Sequence, residues 1–120
     1  LEEAIEQLKS AVVKVCPKGV KVEVKILHVG APSLTDPENL FIRAAAQALG
    51  EKFGKETVYT RSGGSIPIVG LFQKHLGIPS VLMGFGLPDD NLHAPNEKFH
   101  LPNFYRGIEI VARFFEIVGA

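Results

Sequence analysis

Thr57-Val58-Tyr59-Thr60-Arg61-Ser62-Gly63-Gly64-Ser65-Ile66-Pro67 is the stretch from which the fold class follows. Four residues led by Thr57 and Val58, then a glycine turn, then a capping serine before an apolar run, predict a strand, a tight turn and a helix. That helix covers residues 66–76, and Gly77-Ile78-Pro79 stops it. Ser80-Val81-Leu82-Met83-Gly84-Phe85 reads as a second, buried strand. Upstream, Asp36 followed by Pro37 predicts an N-cap with proline at the first helical position. The helix so started carries Phe41, Ala44, Ala45, Ala48, Leu49 and Phe53, and Gly54 ends it. Downstream, a polar loop over residues 86–100 leads into a last helix from about Pro102, with Phe104, Ile108, Val111, Phe115 and Val118 on one face. Strands and helices therefore alternate from residue 37 onward, the pattern of an α/β layer with parallel pairing.

The first thirty residues follow a different plan. Leu1, Ile5, Leu8, Val12 and Val15 recur at four- and three-residue steps, one apolar stripe on a helix that Pro17-Lys18-Gly19 terminates. Val20, Val22, Val24 and Ile26 then alternate with Lys21, Glu23 and Lys25, as in a strand with one solvated face. Gly30-Ala31-Pro32-Ser33 breaks the pattern and is the candidate boundary between two parts. Two or three strands make a thin sheet, so further strands are expected from sequence outside this chain. The helical pattern is already running at Leu1, without an initiator Met, which places the expected N-terminus upstream.

Composition narrows the function classes. Apolar residues at 46% and charged residues at 22% are the values of a folded soluble domain rather than a disordered tail. Thirteen basic residues balance thirteen acidic ones, so no net field draws the chain to nucleic acid or an anionic membrane. No apolar run approaches the roughly 20 residues that span a bilayer. Cys16 is the only cysteine, so no internal disulfide forms, which is compatible with the cytoplasm expected for it.

Two segments that follow strands carry candidate chemistry, since reactive loops of open α/β sheets lie at the C-terminal ends of strands. In the first, Gly63 and Gly64 leave backbone N–H groups uncovered at a helix start, with Ser65 and Arg61 as further donors for a carboxylate or phosphate. The plainer alternative is a tight turn with Ser65 as helix N-cap. The second is the loop around His93, placed to bind metal or move protons, with Asp89, Asp90 and Glu97 near enough in sequence to orient its ring. Here the plainer alternative is an exposed loop histidine, with Asp89 and Asp90 as turn formers after Pro88. His28, His75 and His100 are weaker candidates, and Cys16 reads as a small packed residue. No P-loop, Gly-x-Ser-x-Gly elbow, Cys-x-x-Cys pair or His-Glu-x-x-His is present.

Taken together, Thr60-Arg61-Ser62-Gly63-Gly64-Ser65-Ile66-Pro67, Leu82-Met83-Gly84-Phe85-Gly86 and Asp89-Asp90-Asn91-Leu92-His93-Ala94-Pro95-Asn96-Glu97-Lys98 closely resemble the C-terminal region of the dizinc exopeptidase and deacylase family. That family includes carnosine-type dipeptidases, aminoacylases, acetylornithine deacetylase and succinyl-diaminopimelate desuccinylase. Asn103-Phe104-Tyr105-Arg106-Gly107 also fits, and the likeness is best to the dipeptidase branch.

The resemblance implies residues 1–29 as the closing helix and strand of a lid and dimerisation domain, and residues 30–120 as the C-terminal part of an α/β catalytic domain. It implies metal-assisted hydrolysis of the amide bond of a dipeptide or N-acyl amino acid, with two zinc ions sharing a water. His93 takes the place of one zinc ligand, with Asn96 and Glu97 as supports behind it. Arg61, Gly63, Gly64 and Ser65 take the place of the turn that receives the substrate's terminal carboxylate. The family's remaining ligands and its general-base Glu have no counterpart here, so the isolated chain is expected to be inactive, binding at most one metal weakly. Where many dipeptidases carry Glu between the Arg and the glycines, this chain has Ser62. A neutral hydroxyl cannot pair with a free amino group, which leaves room for N-acyl substrates. A homodimer is the expected assembly. The alternative is a non-catalytic α/β module that self-associates or binds carboxylates.

Overall fold

The computed structural model describes residues 1–61 and 66–120 and contains four helices, α1 (Glu2–Val15), α2 (Leu40–Phe53), α3 (Pro67–Leu76) and α4 (Leu101–Gly119). Each stops where local chemistry dictates. α2 and α3 end on Gly54 and Gly77 in the left-handed conformation, at φ 63° and 65°, and their N–H groups donate to the carbonyls of Gly50 and Gln73.

Two helix starts differ from expectation. α2 begins at Leu40 rather than Pro37, because Asn39 provides the cap, its side chain accepting from the N–H of Phe41. Asp36 instead accepts from the N–H of Glu38 at 2.9 Å, closing a turn ahead of the helix. α3 begins at Pro67 rather than at residue 66, with Ile66 in the cap position, and the expected cap Ser65 lies outside the described residues.

α2 and α4 are the two helices that pack together among the described residues. Ala44, Ala45 and Ala48 are buried on α2, and Asn103, Gly107 and Ile110 on α4. Ile110 is 0% exposed and lines the same groove at the seam as Ala48. Small residues on α2 let the axes approach until the isoleucine fills the space between them. Charges rim the seam: Lys52 pairs with Glu109, and Arg113 Nε donates to Glu51 at 2.7 Å and its Nη1 to Glu116 at 3.1 Å. Of the expected apolar stripe on α4, Phe104, Ile108, Phe115 and Val118 are exposed and Val111 is half-buried.

Residues 20–26, 57–60 and 80–85, the three expected strands, lie outside the helices but in no ladder. A strand exists only through bonds to a neighbour, and among the described residues none of the three has one. The chain is accordingly open. Its radius of gyration is 19.3 Å, against about 14 Å for a compact domain of this length, and α1 buries no residue. Residues 31–35 reach distant parts of the chain. Ser33 Oγ donates to Gln73 of α3 at 2.8 Å, Gln73 Nε2 donates to the carbonyl of Leu34, and Thr35 Oγ1 donates to that of Ser80.

Candidate functional site

The loop between residue 86 and α4 is built around a buried carboxylate. Asp90 is 1% exposed, while Asp89 and Asn91 on either side are exposed. Its Oδ2 accepts the N–H of Leu87 at 2.6 Å, and its own N–H donates to the Leu87 carbonyl at 3.1 Å. Gly86 lies against it, since a Cβ there would stand in van der Waals contact with that Oδ2 at 3.4 Å.

On the far side the Asp90 carbonyl accepts the N–H of Lys98 at 3.0 Å. The Lys98 ammonium donates to Asp89 at 2.7 Å and lies 3.6 Å from Asp90 Oδ1, which has no hydrogen bond among the described residues. A buried carboxylate without full compensation is costly, and the ammonium supplies the offset. The hydrogen bond from Lys98 is also the main cause holding the Asp89 carboxyl below the usual range, and the same bond raises the Lys98 ammonium above its own.

Between these two anchors the backbone passes through three left-handed residues, Asn91 at φ 55°, His93 at 60° and Asn96 at 61°. Asparagine and histidine are among the side chains that tolerate this region. The N–H of Ala94 donates to the carbonyl of Asn91 at 3.0 Å. His93, Asn96 and Glu97 are all exposed. Of the carboxylates expected to orient the imidazole, Asp90 accepts the backbone N–H of Leu87, Asp89 accepts from the Lys98 ammonium, and Glu97 is exposed.

Behind the loop, Asn103 is buried at the start of α4 and donates to the carbonyl of Phe85. Neither its role nor the burial of Asp90 is read from the sequence; the available signals are an Asp-Asp pair after proline and an asparagine inside a helical turn. Arg61 is exposed, and Gly63, Gly64 and Ser65 lie outside the described residues. Cys16, expected as a small packed residue, is half-buried, its Sγ donating to the carbonyl of Val20 at 3.3 Å.

Among the described residues no three of His, Cys, Asp and Glu gather closely enough to hold a metal ion. His93 fits a metal as a single donor, an exposed imidazole on an anchored backbone, and cannot complete a site by itself.

An exposed imidazole on an anchored loop is chemically available to a metal or a proton, and comparison with known proteins places the chain in a family. Residues 2–117 match the family model of the Peptidase family M20/M25/M40, and the chain belongs to that family. It is 34% identical over 99 residues to the Cys-Gly metallodipeptidase DUG1 of Candida albicans, covering 82% of this chain and 20% of that one. To the human Beta-Ala-His dipeptidase it is 35% identical over 89 residues, covering 74% and 17%. The solved structure of the dipeptidase Dug1p from Saccharomyces cerevisiae matches with TM-score 0.70 at 36% identity, over 73% of this chain and 18% of that one. The fold over that share is thus that of part of a family peptidase. The chain spans about a fifth of the length of the relatives it matches. The family likeness read from the two loops is borne out, and the relatives are dipeptidases.

Proposed function

We propose that this chain is part of a metal-dependent dipeptidase that hydrolyses the amide bond of dipeptides or N-acyl amino acids. One observation carries the reading: the family match spans the loop that displays His93, and that loop is anchored by a buried carboxylate. In this reading His93 is one ligand of a two-metal centre, with zinc as the metal and Asn96 and Glu97 as its supports. The metal, when bound, polarises the scissile carbonyl and lowers the pKa of its water. Arg61, Gly63, Gly64 and Ser65 receive the substrate's terminal carboxylate.

Residues 1–29 belong to a lid and dimerisation domain and residues 30–120 to an α/β catalytic domain, whose strands pair with further strands. The contacts of Ala31 and Ser33 with α3 support placing residue 30 onward with the catalytic part, and α1, which buries no residue, offers a face to a homodimer. No described helix is long and apolar enough to cross a membrane, which agrees with a cytoplasmic enzyme; neither membrane nor nucleic acid is a proposed partner.

The test is hydrolysis of Cys-Gly, β-Ala-His and N-acetyl amino acids by the full-length protein, with and without chelator. Loss of turnover on chelation and in His93→Ala is expected. Full activity of His93→Ala would remove the ligand assignment.

The second reading is a self-associating, non-catalytic module. The open shape, 63 Å in its longest extent, and the apolar faces left exposed on α1 and α4 favour it. Concentration-dependent oligomers of this chain, with no hydrolysis by the full-length protein, would select it.

A further inference from the structure

We infer that Asp90 and Lys98 act together as positioning residues for His93, a clasp that shuts the loop at its base and so sets the backbone on which the imidazole is displayed. For its functional consequence this rests on the metal-ligand reading of His93; its geometry does not.

The loop has no interior of its own. Every residue from 91 to 97 is exposed, so packing cannot hold Asn91, His93 and Asn96 in the left-handed region. Such conformations cost free energy and persist where surrounding contacts over-determine them. Here the contacts converge on Asp90. Its side chain and N–H tie it to Leu87 before the crown, and its carbonyl ties it to Lys98 after the crown. The Lys98 ammonium then lies 3.6 Å from the buried Oδ1. Removing that cation leaves a buried charge without an offset, and the carboxylate is driven outward to water. That movement breaks the tie to Leu87 and loosens the one to Lys98, and His93 loses its fixed place. Asp89 is different: it is exposed and shares the ammonium without holding the backbone.

The experiment follows amide hydrogen exchange by NMR in this chain and its variants, with the amides of α2 and α4 as the internal reference. In Asp90→Asn and Lys98→Met, the Lys98 and Ala94 amides should exchange about ten-fold faster, the scale of one lost hydrogen bond, with the helical reference unchanged. Lys98→Arg should restore protection, and Asp89→Asn should leave it intact. Unchanged exchange at Lys98 and Ala94 in both Asp90→Asn and Lys98→Met would overturn the clasp. Should Asp90→Asn unfold the chain, Lys98→Met with its arginine rescue carries the same test.

In the full-length protein, zinc affinity by chelator competition should fall about 10–100-fold in Asp90→Asn, the effect of losing a group behind a metal ligand. Affinity lowered by His93→Ala but untouched by Asp90→Asn overturns the positioning role. Affinity untouched by His93→Ala defeats the ligand reading alone, and the exchange data still decide on the clasp.

Discussion

The side-chain amide of Asn103 donates to the main-chain carbonyl of Phe85 at 3.0 Å, and the Phe85 ring covers Gly107 one turn further along α4. A Cβ at residue 107 would stand 3.3 Å from that ring, so the helix start holds the segment feeding the His93 loop by a hydrogen bond and by close packing. Asn103 in turn accepts from Arg106 at 3.2 Å, and the Arg106 guanidinium lies 5.7 Å from the ring centre of Phe53 at the end of α2. The loop is thus braced against both packed helices.

Asn103→Leu should therefore destabilise the chain by about 1–3 kcal/mol, because the Phe85 carbonyl loses its donor in a part-buried setting. Denaturant titration should show a lowered midpoint. A variant as stable as the parent would mean that water satisfies the carbonyl equally well.

Ile110→Ala should cost about 2–5 kcal/mol, the range for emptying a fully buried aliphatic site. Among the described residues Ile110 is the largest fully buried apolar side chain, so the loss falls on the seam between α2 and α4. Phe115→Ala, on the exposed face, should change the melting temperature far less. Equal effects at both positions would contradict the packing of α4.

Gly54→Ala isolates a conformational cost. Gly54 stands at φ 63°, and a Cβ added there would meet nothing within 4 Å, so no clash adds to the backbone strain. A loss of about 1 kcal/mol is expected, with Gly54→Asn falling between the two because asparagine tolerates this region. Thermal melts of the three proteins check the order.

Acid should weaken the rim of the seam. The hydrogen bond from Arg113, with a second from Gln47, holds the Glu51 carboxyl below its ordinary value of 4.5. A carboxyl depressed on folding binds its proton more readily in the unfolded chain. Its contribution is therefore complete above that ordinary value and is lost as pH falls from there through the folded value. Glu51→Gln should melt below the parent at neutral pH and converge with it under acid. A gap that widens on acidification would reverse the sign of this linkage. The pair is exposed to solvent, so added salt should narrow the gap as well.

The features legible in the residues alone are local ones. The stripe of α1, the apolar positions of α4 and the stops at Gly54 and Gly77 all follow from neighbours within a few residues, because helix bonds and left-handed caps close over that distance. The loop around His93 is legible as a candidate for the same reason, being a short run of distinctive residues. Competition between adjacent caps is the local exception: Asp36 and Asn39 both qualify, and only the folded chain shows Asn39 on the helix and Asp36 in a turn.

Tertiary structure decided everything that depends on the chain returning to itself. Val20, Val58 and Val81 have the residue type of strands, but a ladder needs a partner that residue type cannot name. Which side of α4 is covered depends on α2, whose alanines select the Ile110 face over the Phe104 face. Asp90 reads as a turn residue until Lys98 comes back beside it, and the pairing with Lys98 then makes it the buried anchor of the loop that carries His93.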